Sequence, residues 1–311
     1  MNTARFKVLV SAGLGNQLFQ YSFAHYLQSK FNQIVTLENK IAISNNTGRR
    51  FELNNLVQGC THLYLKSHKV LSHETKVGRL LYKSGLAIKY ESRVLGRNRT
   101  NCIIEKNISK DLSLALEEGR YLGENNLIFD GYWQKWEYVF ANSGVIFSEL
   151  TNYLNSQVST HHSINSLTKP LLVVHVRRGD YLSTRLKGII GLVDIDSYIS
   201  QIQRIKNIDK NITTITLTDS TDHSYFKNQA NLFGTILDSQ STTNWEALKI
   251  MSRANYLITA NSTFSWWGAF LSAEKGGEVF IPSKWFLSES ETFVNNYKYP
   301  KFNVFDARIT N

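Results

Sequence analysis

Apolar residues along this chain gather in short runs closed by glycine, proline or polar clusters, and most runs are followed by a segment with helical spacing. FKVLVS (6–11) reads as a strand, the glycines at 13 and 15 as a turn, and the apolar-periodic stretch to Phe31 as a helix. IVTLEN follows as a second strand, and NLIFDGYWQ as a third that runs into an aromatic turn. The stretch 150–170 is polar, rich in Ser, Thr and Asn, and closed by Pro170, which predicts a boundary between domains 1–160 and 161–311. Beyond it come the strand LLVVHV, a helix near SYISQIQRIKN, the strands TTITLT and TILD, and a helix over WEALKIMSR. The strand NYLITA, a helix in the Phe264–Ser272 region and the strand EVFIP complete the pattern. Strands alternating with helices predict an α/β fold of two Rossmann-like halves, each on a parallel sheet.

Composition narrows the class. At 311 residues and 42% hydrophobic content, two substantial cores are affordable. Cys60 and Cys102 form no disulfide framework and fit a reducing compartment. No apolar run is long enough to cross a bilayer. The first run flows into a glycine turn instead of a cleavage site, so a cytoplasmic location is expected. The net charge of +10 is unevenly placed: residues 66–110 hold eleven Lys/Arg against Glu74, Glu91 and Glu105, interleaved with apolar side chains. A solvated face is the plain reading of such a run. As a ligand surface it suits the anionic inner face of a membrane. Nucleic acid is the competing partner and is not expected.

Candidate chemistry sits at strand ends. His175-Val176-Arg177-Arg178-Gly179-Asp180-Tyr181 closes a buried apolar run, where open α/β sheets gather their ligands. Alternation puts His175 and Arg177 on one face and Val176 and Arg178 on the other. A guanidinium fork suits bidentate capture of phosphate; the plain alternative is an ion pair between an arginine and Asp180. Ala12–Gln17 resembles half a dinucleotide fingerprint, with Leu18 in place of the third glycine. It remains a loop whose Gly15 backbone and Asn16 amide can approach a ligand at a helix start. Asn261, Ser262 and Thr263 are good N-caps, and the free N–H groups of that helix start offer an anion seat. Trp266 and Trp267 read as core. Together with His175–Asp180, the helix start suggests a diphosphate clamp. Asp194-Ile195-Asp196 matches the D-x-D by which many sugar-nucleotide transferases hold a divalent metal. The favoured reading is that Asp196 and Ser197 cap the next helix. No zinc spacing, nucleophile elbow or P-loop occurs.

GLGNQLFQYSFAHYL, FDGYWQKWEYVF, HVRRGDY, LTDSTDHSYF, ANSTFSWWGAFL and IPSKWF, in that order, resemble the motifs of the bacterial α-1,2-fucosyltransferases of glycosyltransferase family 11. The resemblance implies a GT-B-like architecture: two Rossmann-like domains with parallel sheets facing a central cleft. The N-terminal domain would take the acceptor and the C-terminal one the GDP-sugar. It further implies GDP-β-L-fucose as donor, no metal, and inverting transfer to the 2-hydroxyl of a galactose-type acceptor, by family habit in surface-polysaccharide or O-antigen synthesis. His175 and Arg177 would contact the diphosphate, with Ser262, Thr263, Gly15 and Asn16 supporting. Asp238 would read guanine, and Asp180, or failing that Asp194, would take the acceptor proton. Two positions depart from the family pattern: Leu18 replaces a frequent Met, and LTDS replaces a Ser-Asp-Asp type sequence, which weakens any role assigned to Asp219 and Ser220.

Overall fold

A computed structural model of the chain describes residues 6–40, 50–58, 63–66, 102–105, 127–158, 161, 168–182, 190–220, 223–288 and 295–310. The chain divides into two compact units, Met1–Glu149 and Leu150–Asn311. The first contains strands β1 (Phe6–Val10), β2 (Val35–Asn39), β3 (Leu63–Lys66), β4 (Cys102–Ile104) and β5 (Leu127–Asp130). Its helices are α1 (Leu14–Phe31), α2 (Asn54–Gln58), α3 (Trp136–Phe140) and the first half of α4 (Ser143–Ser156). The sheet order is β3-β2-β1-β5-β4, and its pairings are parallel. The chain steps from β1 out to β3 and then resumes on the other side of β1. The order therefore reverses between β1 and β5, the kind of place where open sheets part their loops and admit a ligand.

The second unit runs β6 (Leu171–Val176), β7 (Leu192–Val193), α5 (Ile195–Ile208), β8 (Thr213–Thr218), α6 (Ala230–Phe233) and β9 (Thr235–Leu237). It continues with α7 (Asn244–Met251), β10 (Tyr256–Ile258), α8 (Thr263–Glu274), β11 (Glu278–Pro282), β12 (Phe302–Phe305) and β13 (Ile309–Thr310). Its parallel sheet has the order β12-β11-β10-β6-β8-β9, reversing between β6 and β10. β7 and β13 form a separate antiparallel ribbon. All six residues of β6 are buried, as a central strand covered on both faces requires. Leu172, Val174 and Val176 pack with Ile258 and Phe280 against Tyr198, Ile202 and Ile205 of α5. That assignment turns His175 to the opposite face. On that face lies α8, buried through its middle; Trp266 and Trp267 are fully buried, and the Trp266 indole N–H donates to the Tyr297 carbonyl at 2.8 Å. The tryptophan pair is core.

Where the sequence puts a boundary at 160, the division falls earlier, inside α4. Glu149 lies 3.0 Å from the His25 imidazole and accepts from the Tyr21 hydroxyl in the first unit. Leu154 is buried, and Tyr153 packs edge-on against Trp245 of the second. The helix continues to Ser156, within the polar stretch 150–170. Of the basic segment 66–110, Lys66 closes β3, and Cys102–Ile104 is a sheet strand with Ile103 buried. Its residues 67–101 and 106–110 lie outside the described residues. Among the described residues no helix is long and apolar enough to cross a membrane.

Candidate active site

β6 pairs with β8 so that Val176 stands beside Thr218, and the next residues, Arg177 and Asp219, leave the sheet together. Arg177 Nε lies 3.0 Å from Asp219 Oδ2. The other oxygen, Oδ1, accepts the backbone N–H of Arg178 at 2.7 Å and of Gly179 at 2.9 Å. One carboxylate thus fixes both the guanidinium and the loop that carries it. A Cβ on Gly179 would stand 2.7 Å from Asp219 Oδ2, so only glycine permits this approach. Strand register brings Asp219 alongside Arg177, and the two form an ion pair. Asp219, whose role the LTDS departure weakens on sequence grounds, is the residue that makes these contacts. Asp180 opens a short 3₁₀ turn, Asp180–Leu182, and its side chain lies outside what is described. Arg178, on the opposite face as alternation requires, lays its guanidinium 3.7 Å from the centre of the Tyr225 ring.

Around Arg177 the second unit forms a pocket that opens to solvent. His175, Asp219, Asp238, Thr242, Asn244 and Phe264 are among the residues lining it. His175 is 3% exposed, and its ring lies 5.6 Å from that of Phe264 in the first turn of α8. Burial, reinforced by the Arg177 charge and opposed by Asp219, lowers its pKa to about 3. It is therefore a neutral imidazole, and its buried Nδ1 has no hydrogen-bond partner among the described residues. Asp238 Oδ1 accepts the N–H groups of Gln240 and Ser241, both at 3.0 Å, in an Asx turn. Its Oδ2 lies 3.2 Å from His223 Nε2. The Ser241 N–H foremost, then its hydroxyl, the Gln240 N–H and the His223 charge, hold the carboxyl below its usual range against the effect of burial.

Ser262 is the N-cap of α8, its hydroxyl accepting the Phe264 N–H at 3.3 Å, and Thr263 is the first helical residue. Asn261 is a structural tie: its amide donates to the Gly191 and Trp285 carbonyls, and its own carbonyl accepts from the Tyr181 hydroxyl. Gly15 and Asn16 belong to the first unit and are not among the residues lining this pocket. Leu14 opens α1 there, and Asn16 Oδ1 accepts from the Gln134 amide at 2.6 Å. At the D-x-D the helix starts earlier than the sequence suggests: Asp194, not Asp196 or Ser197, is the N-cap of α5, and it makes no side-chain cap bond. Arg308 explains the shift. Its guanidinium lies 3.0 Å from Asp194 and 3.5 Å from Asp196, and its backbone N–H donates to the Ser197 hydroxyl. Among the described residues no three His, Cys, Asp or Glu side chains gather as a metal site.

In chemical terms the carboxyl end of β6 offers one guanidinium held by a carboxylate, a neutral imidazole and a nearby helix N-terminus, a combination suited to an anionic ligand. A family model described as "Glycosyl transferase family 11" matches residues 5–301. The chain is 25% identical over 298 residues to the O-antigen biosynthesis glycosyltransferase WbnK of Escherichia coli, covering 91% of this chain and 95% of that protein. It is 26% identical over 292 residues to an alpha-1,2-colitosyltransferase of the same species, covering 90% and 92%. Among solved structures, a glycosyl transferase family 9 protein from Veillonella parvula aligns with a TM-score of 0.51 at 10% identity, over 98% of this chain and 88% of that one. That last likeness concerns the fold alone.

Proposed function

The chain belongs to glycosyltransferase family 11, and on that premise we propose that it moves L-fucose from GDP-β-L-fucose to the 2-hydroxyl of a galactose-type acceptor, with inversion to an α-1,2 linkage, in O-antigen or related surface-polysaccharide assembly. The architecture is of the GT-B type, two Rossmann-like units on parallel sheets. The observation that carries the reading is Arg177, held by Asp219 at the carboxyl end of β6 inside a pocket shared with His175 and Phe264. The colinear motifs resemble those of α-1,2-fucosyltransferases, and the name of one relative supports the polysaccharide setting.

In this reading the bond between the sugar's anomeric carbon and the β-phosphate oxygen breaks, and its electron pair leaves with GDP. Arg177 and the N–H groups at the Ser262–Thr263 helix start meet that charge, without a metal. The acceptor oxygen attacks the opposite face of the anomeric carbon, and we assign its proton to Asp180. His175, uncharged, contacts the nucleotide as a hydrogen-bonding group and adds no positive charge. Asp238 keeps Oδ1 for its own turn and offers Oδ2 to the guanine N–H groups. Peripheral attachment to an anionic membrane through 66–110 belongs to the same proposal; co-sedimentation with anionic vesicles that rises with lipid charge and falls with salt supports it, and indifference to both removes it.

The test is transfer by the purified chain from GDP-fucose, and separately from GDP-colitose, to lactose and other β-galactosides in EDTA, with the linkage read by NMR. Fucosylation at the 2-hydroxyl is expected. Preference for the colitose donor, which lacks one hydroxyl of fucose, changes the donor. Activity restored only by Mn²⁺ overturns the metal-free chemistry, and no transfer from either donor overturns the reading.

A further inference from the structure

The reversal of strand order in the first unit repeats the construction that holds Arg177. Glu105, just past β4, accepts the backbone N–H of Tyr132 at 2.6 Å and of Trp133 at 3.0 Å in the loop after β5. A Cβ on Gly131 would stand 2.4 Å from the Glu105 Cβ, so this loop too depends on a glycine against a carboxylate side chain. Trp133 is held at φ 54°, a left-handed conformation rare for a bulky residue, with its ring stacked 4.2 Å from Phe23. Strained, over-determined backbone of this kind collects at ligand sites. The Gln20 amide donates to the Gly131 carbonyl at 2.7 Å, and Gln134 reaches Asn16, so side chains of α1 tie the loops after β1 and β5 together. Lys40, after β2, lies 2.8 Å from Asp130 at the end of β5. All this fixed structure leaves Tyr132 47% exposed.

Within the acceptor side that the family resemblance implies, we propose Tyr132 as the platform on which the acceptor galactoside stacks. The inference rests on the glycosyltransferase reading above and names the group that would recognise its acceptor. At this loop Lys40 faces Asp130, Glu105 serves two backbone N–H groups, and Lys135 lies 5.9 Å from the centre of the Tyr138 ring. The exposed Tyr132 phenol is uncharged, which suits a neutral polyol better than a phosphate. A β-galactoside has one ring face lined by C–H groups, and such a face packs on the electron-rich face of a phenol ring.

The experiment is titration of the full chain with lactose, followed by saturation-transfer NMR, alongside GDP binding by calorimetry. Tyr132→Ala should weaken lactose by about tenfold or more, the loss of one buried aromatic anchor. GDP affinity and melting temperature should stay unchanged. Tyr132→Phe keeps the ring and should restore lactose binding, while Arg177→Ala should lose GDP and keep lactose. Lactose binding by Tyr132→Ala equal to wild type, or none by the wild type, overturns the proposal. Lactose binding by a wild-type chain that transfers nothing from GDP-fucose leaves the subsite standing and overturns the donor reading instead.

Discussion

At the end of β5, Glu105 accepts the N–H groups of Tyr132 and Trp133; at the end of β6, Asp219 accepts those of Arg178 and Gly179. In both units the carboxylate follows the neighbouring strand, the loop carries a glycine against it, and the loop lies where strand order reverses. The device is common to both loops, but the side chains it presents differ. The first loop shows an exposed phenol; in the second the other carboxylate oxygen holds Arg177 at a pocket, while Arg178 stacks on Tyr225 on the opposite face. Parallel sheets supply the place for a ligand, and the two or three residues past the strand end set which ligand suits it.

The comparison is tested most severely at Arg177. If it meets the leaving diphosphate, Arg177→Ala should lower turnover by on the order of 10²–10³, the usual cost of one preorganised donor. Arg177→Lys keeps the charge but not the fork held by Asp219, and should be nearly as damaging. Arg178→Ala should show itself mainly as a lower melting temperature, through loss of the Tyr225 stack. Near-normal turnover in Arg177→Ala, with loss in a folded Arg178→Ala, would reverse the assignment of strand faces.

Removing each clamp separates the two loops. Asp219→Ala removes the acceptor of two backbone N–H groups, one half-buried at Arg178 and one open to water at Gly179, and frees Arg177. Its effect on turnover should fall well short of additive with Arg177→Ala in a double-mutant cycle. Glu105→Ala should raise the acceptor KM and leave the donor KM unchanged. Equal effects of both variants on both KM values would mean that the clamps hold the fold only.

Much of this was readable from strand ends. LLVVHVRRGD announces a buried strand closing in cations, and alternation places His175 with Arg177 and Arg178 apart. The clamps were not readable. Asp219 meets Arg178 and Gly179 some forty positions away in sequence, through register alone, so no local pattern marks it. Glu105 reads as one of three acids in a basic run and proves to be a loop anchor. The β strands inside or beside that run, Leu63–Lys66 and Cys102–Ile104, are too short to show a period of two. Asp194 caps α5 in place of Asp196 because Arg308, more than a hundred residues on, draws both carboxylates.

His175 provides a prediction of intermediate size. Its folded pKa of about 3 lies below the ordinary histidine value of 6.5. Between those values the unfolded chain binds a proton that the folded one does not. Stability should therefore be full above about pH 6.5 and fall as pH drops toward 3, by at most about 1.4 kcal/mol per pH unit. In denaturant titrations, His175→Asn should flatten that slope relative to wild type, while variants of the exposed loop at Tyr132 should leave it in place. An unaltered slope in His175→Asn would show that the imidazole is protonated in the folded protein.

The smallest effect is expected at Asp194 and Asp196, and it bears on how the pocket is charged. Both carboxylates face Arg308, whose side chain is 71% exposed, and exposed pairs of this kind contribute about 0–1 kcal/mol. Asp194→Ala with Asp196→Ala should accordingly lower the melting temperature slightly and keep turnover within about twofold, about 0.4 kcal/mol in barrier. Their loss should not move the donor KM, because the charge that meets GDP is assigned to Arg177 and the helix start, not to a metal between these aspartates. A large rise in donor KM in the double variant, cancelled by excess Mn²⁺, would instead make this pair a metal seat. The contrast between the two loops would then lie in bound metal and no longer in arginine against tyrosine.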